Sequence, residues 1–183
     1  MTHLTLTPHS RQSLSRQPLL RALIYAVCAV LLIALAACSP APSTLTAAPN
    51  VVFKTINNQQ FDTASLKGQV TLINFWATSC STCVQSMPML SGLHTTYSPS
   101  GYRMVAVAMD YDNLAFINNF AQSRKLGFDV VHDADGAIAK AFENTKLTPT
   151  SYLIDKKGNV VKRYVGKPSE EAFKATIDAL LKA

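Results

Sequence analysis

The sequence predicts a small α/β sandwich, a sheet with helices on both faces, and three observations carry that expectation. Short β-rich runs alternate with amphipathic helical segments from Val70 to the end of the chain. One run, Met104 to Met109, is continuously apolar, as a strand covered on both faces must be. Of 183 residues, 48% are hydrophobic and only 15% charged, so the chain can bury a real core. The same composition excludes a repeat array, a collagen-like chain and a multi-span membrane protein.

Taken in order, the first core strand is Val70 to Trp76, announced by Gly68. Val84, Met87, Leu90, Leu93 and Tyr97 then recur at helical spacing, and Pro88 predicts a kink within that helix. The Met104–Met109 strand follows. Asp112 is the expected cap of a second helix that carries Leu114, Ile117 and Ala121 on its inner side. Phe128 to Val131 reads as a strand, and Asp135 as the cap of a short helix through Ala141 and Phe142. Ser151 to Ile154 and Val160 to Val165 flank the turn-rich Asp155–Asn159, which predicts an antiparallel hairpin. Ser169, with Glu170 and Glu171 in the first turn, starts a last helix with Phe173, Ile177, Leu180 and Leu181 inward. Asp133 to Gly136 resembles part of a calcium loop, but no glutamate stands where that loop needs its bidentate ligand, so it reads as a turn.

The N-terminal segment reads as an address. Arg11, Arg16 and Arg21 precede an apolar run from Ala22 to Ala37 that is shorter than the ~20 residues of a membrane span. Small residues close it at Leu35-Ala36-Ala37-Cys38. Residues 1–37 are therefore expected to be a signal peptide ending in a lipobox, with Cys38 lipidated as the mature N-terminus; an uncleaved anchor is the alternative. Residues 38–49, rich in Pro, Ser, Thr and Ala, then form a flexible tether, and residues 50–183 the globular domain. Without residues 1–37 the net charge falls from +6 to +3, which gives no reason to invoke nucleic acid. The expected location is the bacterial cell envelope, on the periplasmic side, where disulfides persist.

Only two cysteines follow Cys38, and they stand as Cys80-Ser81-Thr82-Cys83, after a strand and at the opening of a helix. A thiol placed there feels the positive end of the helix dipole and free backbone N–H groups, which favour the nucleophilic thiolate. Half a zinc site and a purely structural disulfide are the alternatives. No second cysteine pair exists, neither His94 nor His132 has ligand spacing, and so short a loop stabilises little. Redox exchange is the favoured chemistry; it requires no metal and no bound cofactor.

Asn74 to Cys83, with Met87-Pro88 downstream, resembles the active-site segment of thioredoxin-like proteins, and most nearly the membrane-tethered TlpA/ResA branch of thiol–disulfide oxidoreductases. Leu147 to Asp155, with Gly158, is similar to the family's proline loop and hairpin, and Phe61 to Gly68 to the lead-in of its first core strand. The resemblance spans Pro49 to Ala183. It implies a thioredoxin-like α/β/α sandwich with a mixed central sheet and a strand–helix element inserted between Met109 and Thr148. It also implies that Cys80 attacks and Cys83 resolves, that Pro149 is cis beside the disulfide, and that Thr148 offers its backbone to an extended substrate. Trp76 would flank the active-site turn, although a core tryptophan explains it nearly as well.

The implied activity is reduction of disulfides in exported proteins, such as apocytochrome c or copper-site assembly factors. The protein would be a lipid-anchored monomer recharged by a membrane electron donor of the thiol-transporter type. A disulfide oxidant or isomerase, and a copper-delivery lipoprotein using His132, are the competing readings; Ala77 argues against a peroxidase, which needs Thr or Ser there. Three departures bear on proton transfer and potential. Asn74 stands where thioredoxins carry a buried acid, Ser86 where several relatives carry another, and Ser79 and Thr82 replace the usual aromatic residue and proline around and within the C-x-x-C. Asp110 is the topological guess for the missing acid.

Overall fold

The structure is a computed structural model and describes residues 46–183. The expected signal peptide, the expected lipobox with Cys38 and the expected tether up to residue 45 lie outside the described residues. A six-stranded sheet runs in the order β1-β8-β7-β4-β5-β6. Its strands are β1 (Thr46–Ala47), β4 (Val70–Trp76), β5 (Tyr102–Ala108), β6 (Asp129–His132), β7 (Thr150–Ile154) and β8 (Asn159–Val165). β4, β5 and β6 are parallel, while β7, β8 and β1 add antiparallel strands, so the sheet is mixed. Thr46 and Ala47, inside the segment expected to be tether, pair with Val160 and Asn159 of β8.

All seven residues of β4 are buried because both faces of the strand are covered. Leu72 and Trp76 face α1 (Ser81–Tyr97), α2 (Leu114–Ser123) and α4 (Glu170–Lys182), which contribute Met87, Leu90, Ile117, Phe173 and Ile177. Ile73 and Phe75 point to the other face, against Ile138 of α3 (Ala137–Ala141), Phe142 and Tyr152. That face also holds a second, two-stranded sheet of β2 (Val52–Lys54) and β3 (Gln60–Asp62), pinned by stacking of Phe53 on Phe61. β6 and α3 fall within the Met109–Thr148 stretch expected to carry the inserted strand–helix element. The thioredoxin-like α/β/α expectation holds.

α1 spans Pro88 as a single helix, held to the sheet by its buried Met87, Leu90 and Leu93 although Pro88 can donate no hydrogen bond to Val84. Several expectations about the other helices need correction. α2 is capped by Asn113, whose side chain accepts from the Ala115 N–H at 2.8 Å, and not by Asp112. Leu114 is exposed; Ile117 and Ala121 are the buried residues of that helix. At α3 the cap position is Gly136 in the left-handed region, and Asp133 binds the Ile138 and Ala139 N–H groups, leaving Asp135 only that of Ala137. Ser169 caps α4 as expected.

The β7–β8 turn makes a testable case. Asp155 accepts hydrogen bonds from Lys157 N at 2.9 Å, Asn159 N at 2.8 Å and Asn159 Nδ2 at 3.2 Å. Burial works against its charge, but these donors and the Gly158 N–H outweigh that and hold the carboxyl below its usual range. Asp155→Ala should cost about 1–2 kcal/mol at pH 7, read from urea unfolding. A depressed folded value means that this stability exists above the unfolded value of ~3.9 and vanishes as pH falls through the folded one. The difference between wild type and variant should therefore shrink in acid; a constant difference would refute the electrostatic account.

Candidate active site

β4 ends at Trp76 on the edge of the sheet where β5 and β6 also end, and the chain turns through Ala77–Ser79 into α1. Cys80 sits at the helix N-cap with extended backbone (φ −87°, ψ 102°), its N–H bonded to the Ala77 carbonyl at 3.1 Å. Its sulfur accepts from the Cys83 N–H at 3.1 Å, so a backbone donor already points at the atom that becomes a thiolate. Cys80 and Cys83 form a disulfide with Cα atoms 5.2 Å apart. Cys83 is 1% exposed, whereas Cys80 is only partly buried, so a partner can reach one sulfur and not the other. No acidic side chain stands in the first turn of α1.

The second wall of the candidate site is the loop before β7, which meets α1 where Pro149 and Ser86 line one cavity. The Thr148–Pro149 bond is cis, as the resemblance implied. The loop is held by Thr150 Oγ1 donating to the Leu147 carbonyl at 2.8 Å and by Gly166 N donating to the Pro149 carbonyl at 2.8 Å. Leu147 and Tyr111 are largely exposed beside this loop, and the Tyr111 hydroxyl lies 3.4 Å from Thr148 Oγ1.

Beneath the proline is a small cavity of about 10 Å³, roughly the room of one water, lined by Asn74, Ser86, Leu90, Pro149, Ser151 and Lys167 among others. Asn74 Nδ2 donates to Ser151 Oγ at 2.9 Å, and Ser86 Oγ donates to the Thr82 carbonyl at 2.7 Å. The two positions where relatives carry acids thus converge on one pocket that is lined by no acid and by a single charged residue, Lys167. Asp110 is not part of it: its carboxylate accepts from the Tyr111 N–H and lies against Gly136.

Trp76 is fully buried, its ring 5.2 Å from that of Phe120. It belongs to the core and presents no surface to a substrate in this conformation. His132 lines a separate cavity of about 250 Å³ with Lys54, Thr55 and Leu114, in which neither cysteine takes part. Sequence reasoning missed Asp112, an 8% exposed carboxylate that holds the active-site turn through Thr78. Nothing local distinguished it from a helix cap.

The Redoxin family model matches residues 44–181. The thiol-disulfide oxidoreductase ResA of Bacillus thuringiensis subsp. konkukian is 33% identical over 124 residues, covering 68% of this chain and 70% of that relative. A thiol:disulfide interchange protein of the thioredoxin family from Chlorobium tepidum superposes with a TM-score of 0.70 at 27% identity, over 77% of this chain and 99% of the other. StoA of Bacillus subtilis does so with a TM-score of 0.61 at 25% identity, over 70% and 96% respectively.

Proposed function

Because the chain belongs to the Redoxin family, in its TlpA/ResA-type thioredoxin-like branch, and is a thiol–disulfide oxidoreductase, we propose that it works as a membrane-tethered, extracytoplasmic reductase of disulfides in other exported proteins. The observation that carries this reading is the asymmetry of the pair: Cys80 partly exposed at a helix N-terminus, Cys83 buried behind it. In the reduced enzyme the Cys80 thiolate attacks one sulfur of a client disulfide. A mixed disulfide forms and the client's other sulfur leaves as a thiolate. Cys83 then loses its proton and attacks Cys80 Sγ, closing the intramolecular disulfide and releasing the client's second thiol. Two electrons pass from the dithiol to the client, and a membrane thiol-transporter donor restores the dithiol.

Thr148 and Pro149 form the wall on which an extended client segment would lie, and the exposed Tyr111 and Leu147 give that wall an apolar rim. Lipidation of Cys38 would supply the anchor. Loss of labelled palmitate from the full chain on Cys38→Ala would support it, and unchanged labelling would refute it.

The direction of electron flow is tested by the midpoint potential of the Cys80–Cys83 couple. A value near about −270 mV supports a reductase. A value near about −120 mV makes the protein a disulfide oxidant instead.

A further inference from the structure

Three contacts of the segment between β5 and α2 tie together the two walls of the active site. The Met109 N–H donates to the Trp76 carbonyl at 3.0 Å, fixing this segment to the end of β4. Three residues on, the buried Asp112 carboxylate takes the Thr78 N–H on Oδ2 and the Thr78 hydroxyl on Oδ1, both at 2.6 Å. Between them, Tyr111 reaches across to Thr148 on the proline loop.

We infer that Asp112 is a positioning residue for Cys80, acting through Thr78. Thr78 is two residues before the cysteine, and the Ala77–Cys80 turn sets the angle at which the Cys80 sulfur meets the Cys83 N–H. Charge-assisted bonds of this length are the strong kind, and two of them on one residue fix both its backbone and its side chain. With the clamp in place, the turn is pre-organised and the thiolate forms facing its backbone donor. Without it, Thr78 and Ser79 are free to swing, and the thiolate loses that alignment for part of the time. Met109 and Asp112 hold the cysteine turn and Tyr111 touches the proline loop, so this one segment bears on both walls. The inference concerns the thiol chemistry alone and is independent of the direction in which the enzyme runs.

The test is a double-mutant cycle on the full chain. The rate of alkylation of reduced Cys80 by iodoacetamide at pH 7 is followed, together with titration of its thiolate absorbance. Asp112→Ala, which removes both bonds, should slow alkylation about tenfold; Thr78→Val, which keeps the backbone N–H bond and the Asp112 charge, should slow it about fivefold and displace the titration to higher pH. The double variant should be slowed about tenfold and not fiftyfold, because the Thr78 hydroxyl acts through the carboxylate that Asp112→Ala already removes. Thr78→Ser, which keeps both donors, should remain within about twofold of wild type. If Asp112→Ala fails to fold, the Thr78→Val and Thr78→Ser pair decides alone. A folded Thr78→Val with unchanged alkylation and titration would overturn the inference, as would additive effects in the cycle; a drop in unfolding stability alone would then mark the clamp as merely structural.

Discussion

Cys80→Ala should lower the rate of disulfide exchange by about 10³-fold or more, because Cys83, the one other cysteine after Cys38, is 1% exposed and cannot replace the attacking thiolate. Cys83→Ala should behave differently. Its Cys80 thiol still stands partly exposed with the helix N-terminus behind it, so attack on a client disulfide proceeds. The second step has no sulfur to perform it, and the mixed disulfide accumulates. Non-reducing gels of cell-envelope extracts, with mass spectrometry of the bands, should show adducts through Cys80 in the Cys83→Ala protein and none in the Cys80→Ala protein. Burial is the physical basis of the asymmetry: at 1% exposure the Cys83 sulfur offers no approach to a protein-sized partner. Equal trapping by both variants would reverse or abolish the assigned roles.

What could be read from the sequence was what depends on neighbours in the chain. β4 was legible because seven consecutive residues must satisfy two covered faces, and a run such as Val-Thr-Leu-Ile-Asn-Phe-Trp does little else. The cysteine pair was legible because a C-x-x-C after a strand places one thiol at the helix end and the other a turn later. The cap of α2 was not. Asp112 and Asn113 are adjacent and equally good caps, and the choice between them is settled by Thr78, 34 residues away, which takes the carboxylate and leaves the helix to Asn113. The β2–β3 hairpin escaped notice for a related reason. Its strands are three residues each, too short to show alternation, and they are held by Phe53 on Phe61 and by Arg103, whose guanidinium lies 4.0 Å from the Phe61 ring centroid. The convergence of Asn74, Ser86 and Pro149 on one cavity likewise depends on three distant segments, so the departures from the family could be noted one by one but not seen as a single acid-free site.

That acid-free site makes Asn74→Asp the most consequential single substitution in the core. Asn74 is 2% exposed, and its side-chain amide donates to Ser151 Oγ at 2.9 Å. An aspartate there replaces a donor by an acceptor. The Ser151 hydroxyl can rotate to donate, and Lys167 also lines the cavity, but Lys167 is solvent-exposed and its charge screened, so it and one neutral hydrogen bond do not offset the removal of a carboxylate from water. The new carboxyl should therefore titrate above its unfolded value of ~3.9, with burial as the cause. The folded variant then holds a proton that the unfolded chain has released. Its stability falls with rising pH between the two values, by about 1.4 kcal/mol per unit, and levels off once the folded group ionises. Below about pH 4 the variant should unfold at nearly the wild-type urea concentration, since the acid is neutral in both states. At pH 7 the penalty should reach about 3 kcal/mol, a large share of the 5–15 kcal/mol that a domain of this kind possesses. A penalty independent of pH from 4 to 8 would mean that the cavity solvates the charge, and that the absence of an acid in this chain has no energetic origin at this position.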